Sequence, residues 1–363
     1  MARGDVRQAQ SLLELAAQRG RDASVLLRLA TVRRAAGDFP GAVKCAVAAV
    51  ELEPRNFLMC LLLGSLRETM GAFHAAERAY RAARAHAPLD LSFQPMVARQ
   101  LQRARRFVDA ASYWRNQLLD WRGAPGLTAE EDRRMRGFRT NVVENLDAGP
   151  LVPPAYVIPG IRPKRYFEPG AFRGISELEL ATAAVLEEFL ALAEEKGEQL
   201  SSRLSGLHGA EDQLGRTGKW SMIPLIRNGK VVDEFASRCP RTMALAQGLD
   251  MPKLSLISPS LYFSVLEPNT RIPPHTGITN ARVIAHLPLV VPENCGFRVG
   301  GEVRQWEVGK AMVFDDMTTH EAWNDSDRIR VVLIADLWRP ELSLGERRAV
   351  AELMACPDAL AGT

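Results

Sequence analysis

Apolar positions in the first third of the chain recur every 34 residues. Two sets of positions share this spacing: Phe39, Phe73 and Phe107, and Ala42, Ala76 and Ala110. The preceding sequences AAGDF, TMGAF and RARRF are typical of short turns, and Pro54 and Pro88 end the first two units. Because a helix pair can bury its apolar stripe only against its neighbours, the pattern predicts a capping helix and three helical hairpins, over about residues 5–20, 22–55, 56–89 and 90–122.

This repeat resembles the tetratricopeptide repeat. A small alanine stands at each predicted helix contact, and the position four residues later holds Ala46, Tyr80 and Trp114. The resemblance implies a concave groove that binds peptides or partner proteins. A short array can equally be a docking shoulder for the next domain, and a generic helical bundle is a further alternative.

The pattern changes after a segment rich in proline and glycine, residues 144–174. Residues 176–200 follow a helical period and predict one amphipathic helix. Six β-like runs come next, SLYFSVLE, ARVIAHLPLVV, GFRVGG, EVRQWEV, AMVFDD and IRVVLIADLW, and they predict a jelly-roll type β core. We therefore expect a multidomain α + β chain with a repeat domain, a linker, a β domain with flanking helices and a C-terminal tail, over residues 1–122, 123–156, 157–350 and 351–363.

Charge and cysteine content narrow the function classes. The 46 Lys and Arg residues are nearly matched by 43 Asp and Glu, so the net charge of +3 gives no basic surplus for nucleic acid. The five cysteines show no metal-binding spacing and fit a reducing compartment. No apolar run reaches the roughly 18 residues that a membrane span needs, so we expect a cytoplasmic protein without membrane insertion. The sequence leaves the oligomeric state open.

Three of the six histidines, His275, His286 and His320, lie among the β-like runs. A lone histidine on a strand is usually a core or surface residue. Here, however, Arg330 follows His320 by ten residues and lies within an apolar run, where its charge must be paired. A guanidinium beside two imidazoles suits a dicarboxylate co-substrate that it grips at one end while the other end chelates iron.

Residues 275–348 resemble the aspartyl/asparaginyl β-hydroxylase family in the motifs HTGxTN, WxxGK and FDDxxxHExWN, and the resemblance continues more weakly upstream to about residue 157. It implies a double-stranded β-helix, cupin-like in form, that uses Fe(II), 2-oxoglutarate and O2 to hydroxylate an unactivated carbon. The implied substrate is an Asp- or Asn-like residue in a peptide, a protein or an amino-acid-derived molecule, which the repeats would recruit.

The resemblance also implies roles for residues at the metal. His275 and His320 would be the ligands, with Gly277 in place of the carboxylate that iron oxygenases usually supply. Asp316 would orient metal-bound water, although a solvated acidic turn is the alternative for Asp315 and Asp316.

A second set of residues would bind the co-substrate and substrate. Arg330 and Ser264 match the residues for the distal carboxylate of 2-oxoglutarate, and His286 and Arg282 would also contact this co-substrate. The chain departs from the family at Ile284, where many members have a second arginine, and this changes how the remaining carboxylate would be held. Trp220 and Arg216 are candidates for the substrate mouth, with a buried structural role as the alternative for the tryptophan.

Three other functions stay open at the level of sequence. A halogenase could place halide where the carboxylate is missing. A repeat-based interaction protein could carry an inactive oxygenase domain, although the retained His275, His320 and Arg330 disfavour it. A hydroxylase of lipid acyl chains would want an apolar surface helix, which the sequence does not predict.

Overall fold

The computed structural model describes residues 3–70, 72–88, 94–152, 155–204, 220–255 and 257–355. Its first part is helical and its second part consists mainly of two antiparallel sheets. The helices of the first part are α1 Arg3–Arg19, α2 Ala23–Ala35, α3 Phe39–Leu52, α4 Phe57–Thr69, α5 Phe73–His86, α6 Pro95–Asp120 and α7 Ala129–Asp147.

The first two predicted hairpins are confirmed as the antiparallel neighbours α2 and α3, and α4 and α5. At the start of three of these helices, a side chain accepts hydrogen bonds from backbone N–H groups that have no partner within the helix. Asp22 caps α2, Asp38 caps α3 and Asn56 caps α4. Alanines at the contacts, such as Ala46, are fully buried, as close helix packing requires.

The third predicted hairpin, over residues 90–122, is wrong because Pro95–Asp120 forms one continuous helix. The first turn contains Gly37, whose φ of 83° is a conformation that glycine adopts at little cost. The corresponding sequence RARRF has Arg105 in place of that glycine, so nothing interrupts the helix. Residues 123–156, which we expected to be a linker, contain α7, whose start is fixed by a reciprocal capping box of Thr128 and Glu131.

In the part of the β region that the structure describes, there are eleven strands, five further helices and one 3₁₀ turn. The larger sheet has the order β1-β9-β6-β11-β4-β2-β3, and the smaller has the order β5-β10-β7-β8. The strands are β1 Tyr166–Phe167, β2 Trp220–Arg227, β3 Lys230–Val231, β4 Leu261–Leu266, β5 Thr270–His275, β6 Arg282–Val290, β7 Cys295–Val299, β8 Glu302–Arg304, β9 Met312–Phe314, β10 His320–Asn324 and β11 Arg330–Trp338. The helices are α8 Ile175–Leu180, α9 Thr182–Leu204, α10 Asp233–Ala236, α11 Pro240–Gly248 and α12 Leu344–Leu353, and the 3₁₀ turn is Pro169–Ala171.

The larger sheet separates two apolar layers. Its outer face packs against α8 and α9 through residues such as Leu178 and Phe189, while its inner face shares a core with the smaller sheet. The single helix predicted over residues 176–200 is wrong, because the chain breaks at Ala181. As a consequence Leu180, which a single amphipathic helix would place on its apolar side, is 89% exposed.

A third core joins the helical part to the β region. Buried side chains of α2 to α7 and α12 belong to the same apolar cluster as Tyr156, Ile158, Leu254 and Trp338. The two parts of the chain therefore pack as neighbours around a common core. None of the helices in the described ranges is both long and apolar enough to cross a bilayer.

Candidate metal centre

Two histidines lie side by side on neighbouring strands of the smaller sheet. His275 ends β5, His320 begins β10, and the antiparallel register places them opposite each other. Their ring centroids are 4.0 Å apart. Two imidazoles at this separation can present nitrogen atoms to one metal ion.

Backbone carbonyls orient both rings in the same way. The Nδ1 atom of His275 lies 2.9 Å from the carbonyl oxygen of Pro273, and Nδ1 of His320 lies 2.9 Å from that of Thr318. Each carbonyl can only accept, so each Nδ1 donates to it and each Nε2 is left for a ligand. Burial, with His275 as a further cause, lowers the pKa of His320 to about 3, so its ring is neutral at pH 7, as metal ligation requires.

The glycine two residues after His275 makes room for a carboxylate from another strand end. A Cβ atom on Gly277 would lie 2.1 Å from Oδ2 of Asp316, and the Gly277 N–H donates to the Asp316 carbonyl oxygen at 2.6 Å. Asp316 is 3% exposed, so the acidic turn is not a solvated one. Within the described ranges, no group of three or more His, Cys, Asp or Glu side chains is arranged around a common metal position.

Arg282 belongs to a buried ion-pair network. Its Nη1 atom lies 2.6 Å from Oδ1 of Asp336, and its Nη2 atom lies 3.6 Å from Oδ2 of Asp316. Asp336 also accepts from the Ser258 hydroxyl at 2.5 Å. Arg282, expected at the co-substrate, is thus held by two carboxylates. The sequence contains a signal for Asp336 that we missed, because it follows Arg330 by six residues on one strand and an even spacing puts both on the same face.

Arg330 is 1% exposed and lies on the inner face of the larger sheet. Its Nη1 donates to the Ser264 hydroxyl at 3.2 Å, and the same hydroxyl accepts from the Trp220 indole N–H at 3.0 Å. The guanidinium also lies 5.0 Å from the Trp306 ring centroid. Burial lowers the pKa of Arg330 to about 10, so it remains a cation at neutral pH, yet no carboxylate of the described residues lies within ion-pair distance of it.

His286 extends this inner face toward the metal residues. Its Nδ1 accepts from the Trp306 indole N–H at 3.3 Å, which leaves the proton on Nε2. Burial holds the pKa of His286 well below its usual range, and Arg330 and His320 lower it further. The ring is therefore a neutral donor at this point of the inner face. Ile284, two residues earlier on β6, is buried in the apolar core between the sheets.

Three predicted site residues remain: Asp315, Trp220 and Arg216. Asp315 pairs with Arg339 at 2.7 Å, both fully buried, so it fixes the turn before His320 rather than facing the metal. Trp220 is 6% exposed and bonded to Ser264, which fits the structural alternative for this tryptophan. Arg216 lies outside the described residues.

The fold and the site together define a helical region joined to an antiparallel β domain with two histidines side by side on neighbouring strands. The family model of the aspartyl/asparaginyl β-hydroxylases matches residues 179–340. This part of the chain therefore has the sequence pattern of the aspartyl/asparaginyl β-hydroxylase family.

Individual relatives agree with this assignment. The mouse aspartyl/asparaginyl beta-hydroxylase is 35% identical over 167 residues, which are 46% of this chain and 22% of that protein. Aspartate beta-hydroxylase domain-containing protein 2 of Xenopus tropicalis is 30% identical over 207 residues, with 56% and 55% covered. An ornithine lipid ester-linked acyl 2-hydroxylase of Rhizobium tropici is 37% identical over 125 residues, with 34% and 42% covered. The chain thus spans from about a fifth to just over half of these relatives.

Proposed function

We propose that this protein is an Fe(II)- and 2-oxoglutarate-dependent hydroxylase whose metal is held by His275 and His320. One observation carries the proposal: two imidazoles that donate from Nδ1 to backbone carbonyls keep their Nε2 atoms for a ligand, on the same inner surface as a buried arginine without an ion-pair partner in the described residues. Imidazole is a suitable ligand for iron, and two protein ligands leave coordination positions for co-substrate and O2. When bound, iron would supply O2 activation coupled to decarboxylation of 2-oxoglutarate to succinate and CO2.

Arg330 and Ser264 would bind the distal carboxylate of 2-oxoglutarate. A carboxylate beside Arg330 would neutralise a buried cation and form charge-assisted hydrogen bonds. The Trp220 indole fixes the Ser264 hydroxyl from the other side, so this hydroxyl is oriented before the co-substrate arrives. His286 would donate from Nε2 to the other end of the co-substrate.

Asp316 would accept a hydrogen bond from water in the coordination shell. Its carboxylate lies beside Gly277, where the usual iron oxygenase has a ligand, and Arg282 limits its movement. We further propose that the two sheets form a double-stranded β-helix, that α2 to α5 are tetratricopeptide-like, and that the protein acts in the cytoplasm.

The substrate we propose is an Asp- or Asn-like residue of a peptide, protein or amino-acid derivative, as the names of the mouse and frog relatives indicate. An acyl chain is the second candidate. It is favoured by Ile284, which places an apolar side chain between Arg282 and His286 on the inner face and cannot pair with a substrate carboxylate. The name of the Rhizobium relative specifies acyl hydroxylation.

Succinate release from 2-oxoglutarate by the full chain, with and without Fe(II), tests this function. We expect iron-dependent succinate that is lost in His275→Ala but kept in His86→Ala, which removes an exposed histidine of α5. Fe(II) and 2-oxoglutarate binding are measured on the same samples. A folded protein that binds neither would overturn the proposal in favour of an interaction protein, and a product that requires halide would identify a halogenase.

A further inference from the structure

A short extended segment, residues 155–158, separates α7 from the loop that follows His275. Its residues alternate between two partners. Ala155 faces α7, where its N–H donates to Asn145 Oδ1 at 2.9 Å and its carbonyl accepts from Asn145 Nδ2 at 2.7 Å. The Val157 N–H donates to Asn141 Oδ1 at 2.8 Å, one helical turn earlier on α7.

The other residues of this segment face residues 276–280, the loop after His275 that we call the metal loop. The Tyr156 N–H donates to the carbonyl oxygen of Ile278 at 2.6 Å. Ile158 exchanges two hydrogen bonds with the amide of Asn280, at 2.8 and 2.9 Å. Both partners lie within five residues of His275 in a stretch outside the regular strands, so few other backbone bonds fix its position.

The helices α2 to α5, called the helical array below, anchor α7 and the start of this segment. Three arginines of α4 and α5 donate to backbone carbonyls between residues 145 and 152: Arg67, Arg78 and Arg81. These guanidiniums occupy carbonyls at and beyond the C-terminus of α7, where cations are favoured. His74 of α5 also packs against the Tyr156 ring, with centroids 5.0 Å apart.

We propose that the helical array is a positioning element of the metal centre. The contacts run without interruption from α4 and α5 to α7, through Asn141 and Asn145 to residues 155–158, and from there to the loop 276–280 that carries the glycine beside His275. A displacement of α7 therefore moves the loop, because both edges of the connecting segment are hydrogen-bonded. This inference rests on the proposed metal site, and it assigns the array a docking role whether or not its groove also binds a partner.

The residue that tests the connection is Asn145, with Asn56 as the matched control. Asn145→Ala removes both side-chain hydrogen bonds to Ala155. Asn56→Ala removes the cap of α4, and the hydrogen bonds of Asn56 involve neither α7 nor residues 155–158. The measurements are anaerobic Fe(II) affinity by calorimetry and amide hydrogen exchange of residues 276–281, both on the full chain. We expect Asn145→Ala to weaken Fe(II) binding by about ten-fold, as the loss of two hydrogen bonds that order the loop would, and to speed exchange in this loop, with neither effect in Asn56→Ala.

Three outcomes separate the possibilities. Fe(II) affinity and loop exchange that equal wild type in folded Asn145→Ala would overturn the positioning role. Equal losses in both asparagine variants would also overturn it, since they would reflect stability alone. Wild-type protein that binds no Fe(II) would instead overturn the proposed function. If Asn145→Ala does not fold, Asn141→Ala removes the single bond to Val157 and decides between the same outcomes through a smaller loss.

Discussion

A Cβ atom on Gly277 would stand 2.1 Å from Oδ2 of Asp316, so the position that could hold a carboxylate ligand is already closed by another carboxylate. Arg282 stabilises this position of Asp316, because its Nη2 atom lies 3.6 Å from the same oxygen. A glycine at 277 is thus a requirement of packing around Asp316, and restoring an acidic residue there would crowd two carboxylates into one space.

We therefore expect Gly277→Ala to weaken Fe(II) binding and to lower the free energy of unfolding by about 1–3 kcal/mol, the usual cost of overpacking a buried site. Calorimetry with Fe(II) and denaturant unfolding would measure both effects. The control is Gly248→Ala, where an added Cβ meets no atom within 4 Å. Metal affinity in Gly277→Ala equal to wild type would show that Asp316 can move away freely.

Arg330→Ala should weaken 2-oxoglutarate binding by about 10- to 150-fold, corresponding to roughly 1.5–3 kcal/mol for a lost charge-assisted contact. Fe(II) affinity should change little, because Arg330 contacts Ser264 and Trp306 rather than the histidine pair. The measurement is the apparent KM for 2-oxoglutarate together with its binding to Fe(II)-loaded protein. Arg271→Ala, an exposed arginine paired with Asp325, is the control, and an unchanged KM in Arg330→Ala would assign the carboxylate to another residue.

The sequence predicted the long apolar strands β4, β6 and β11, and it therefore placed Arg330 on β11 and His286 on β6, but it missed the eight-residue β2. It also missed β10, since three of the five residues in His320–Asn324 are polar and obscure the alternation of a strand. The pairing of Arg282 with Asp336 was also beyond it, because β6 and β11 become neighbours only through the register of the larger sheet.

Local chemistry explains the other differences. The turn between helices needs a residue with positive φ, which Gly37 supplies and Arg105 does not, so repeat spacing alone overestimated the number of hairpins. The contact of residues 155–158 with both α7 and the metal loop is made by backbone groups and asparagine amides, and such pairings leave no hydrophobic pattern in a sequence.

Asp336→Asn should be strongly destabilising. It removes the closest partner of a buried arginine and leaves a charge that is only partly compensated by Asp316, at an expected cost of about 3–5 kcal/mol. The comparison is Asp325→Asn, which breaks the exposed pair with Arg271 and should cost less than about 1 kcal/mol. Denaturant unfolding of both variants measures the difference, and similar losses for the two would mean that the Arg282 network contributes no more than a surface ion pair.

The buried histidine of the helical part predicts a stability that falls in acid. Burial lowers the pKa of His74 from 6.5 to about 3, so between these values the unfolded chain binds a proton that the folded chain does not. The unfolding free energy should therefore rise with pH across this window by about 1.4 kcal/mol per pH unit for this residue alone, and level off above pH 6.5.

Replacing His74 by phenylalanine should remove that share of the slope while keeping an aromatic ring between Trp114 and Tyr156. Denaturant unfolding between about pH 4.5 and 6.5 measures the slope, since this range lies between the folded and unfolded pKa values of His74. Trp114→Phe is the control, because it alters the same cluster without changing a titrating group. It should shift the unfolding free energy at every pH by a constant amount, and a His74→Phe slope as steep as wild type would mean that His74 binds its proton in the folded state as well.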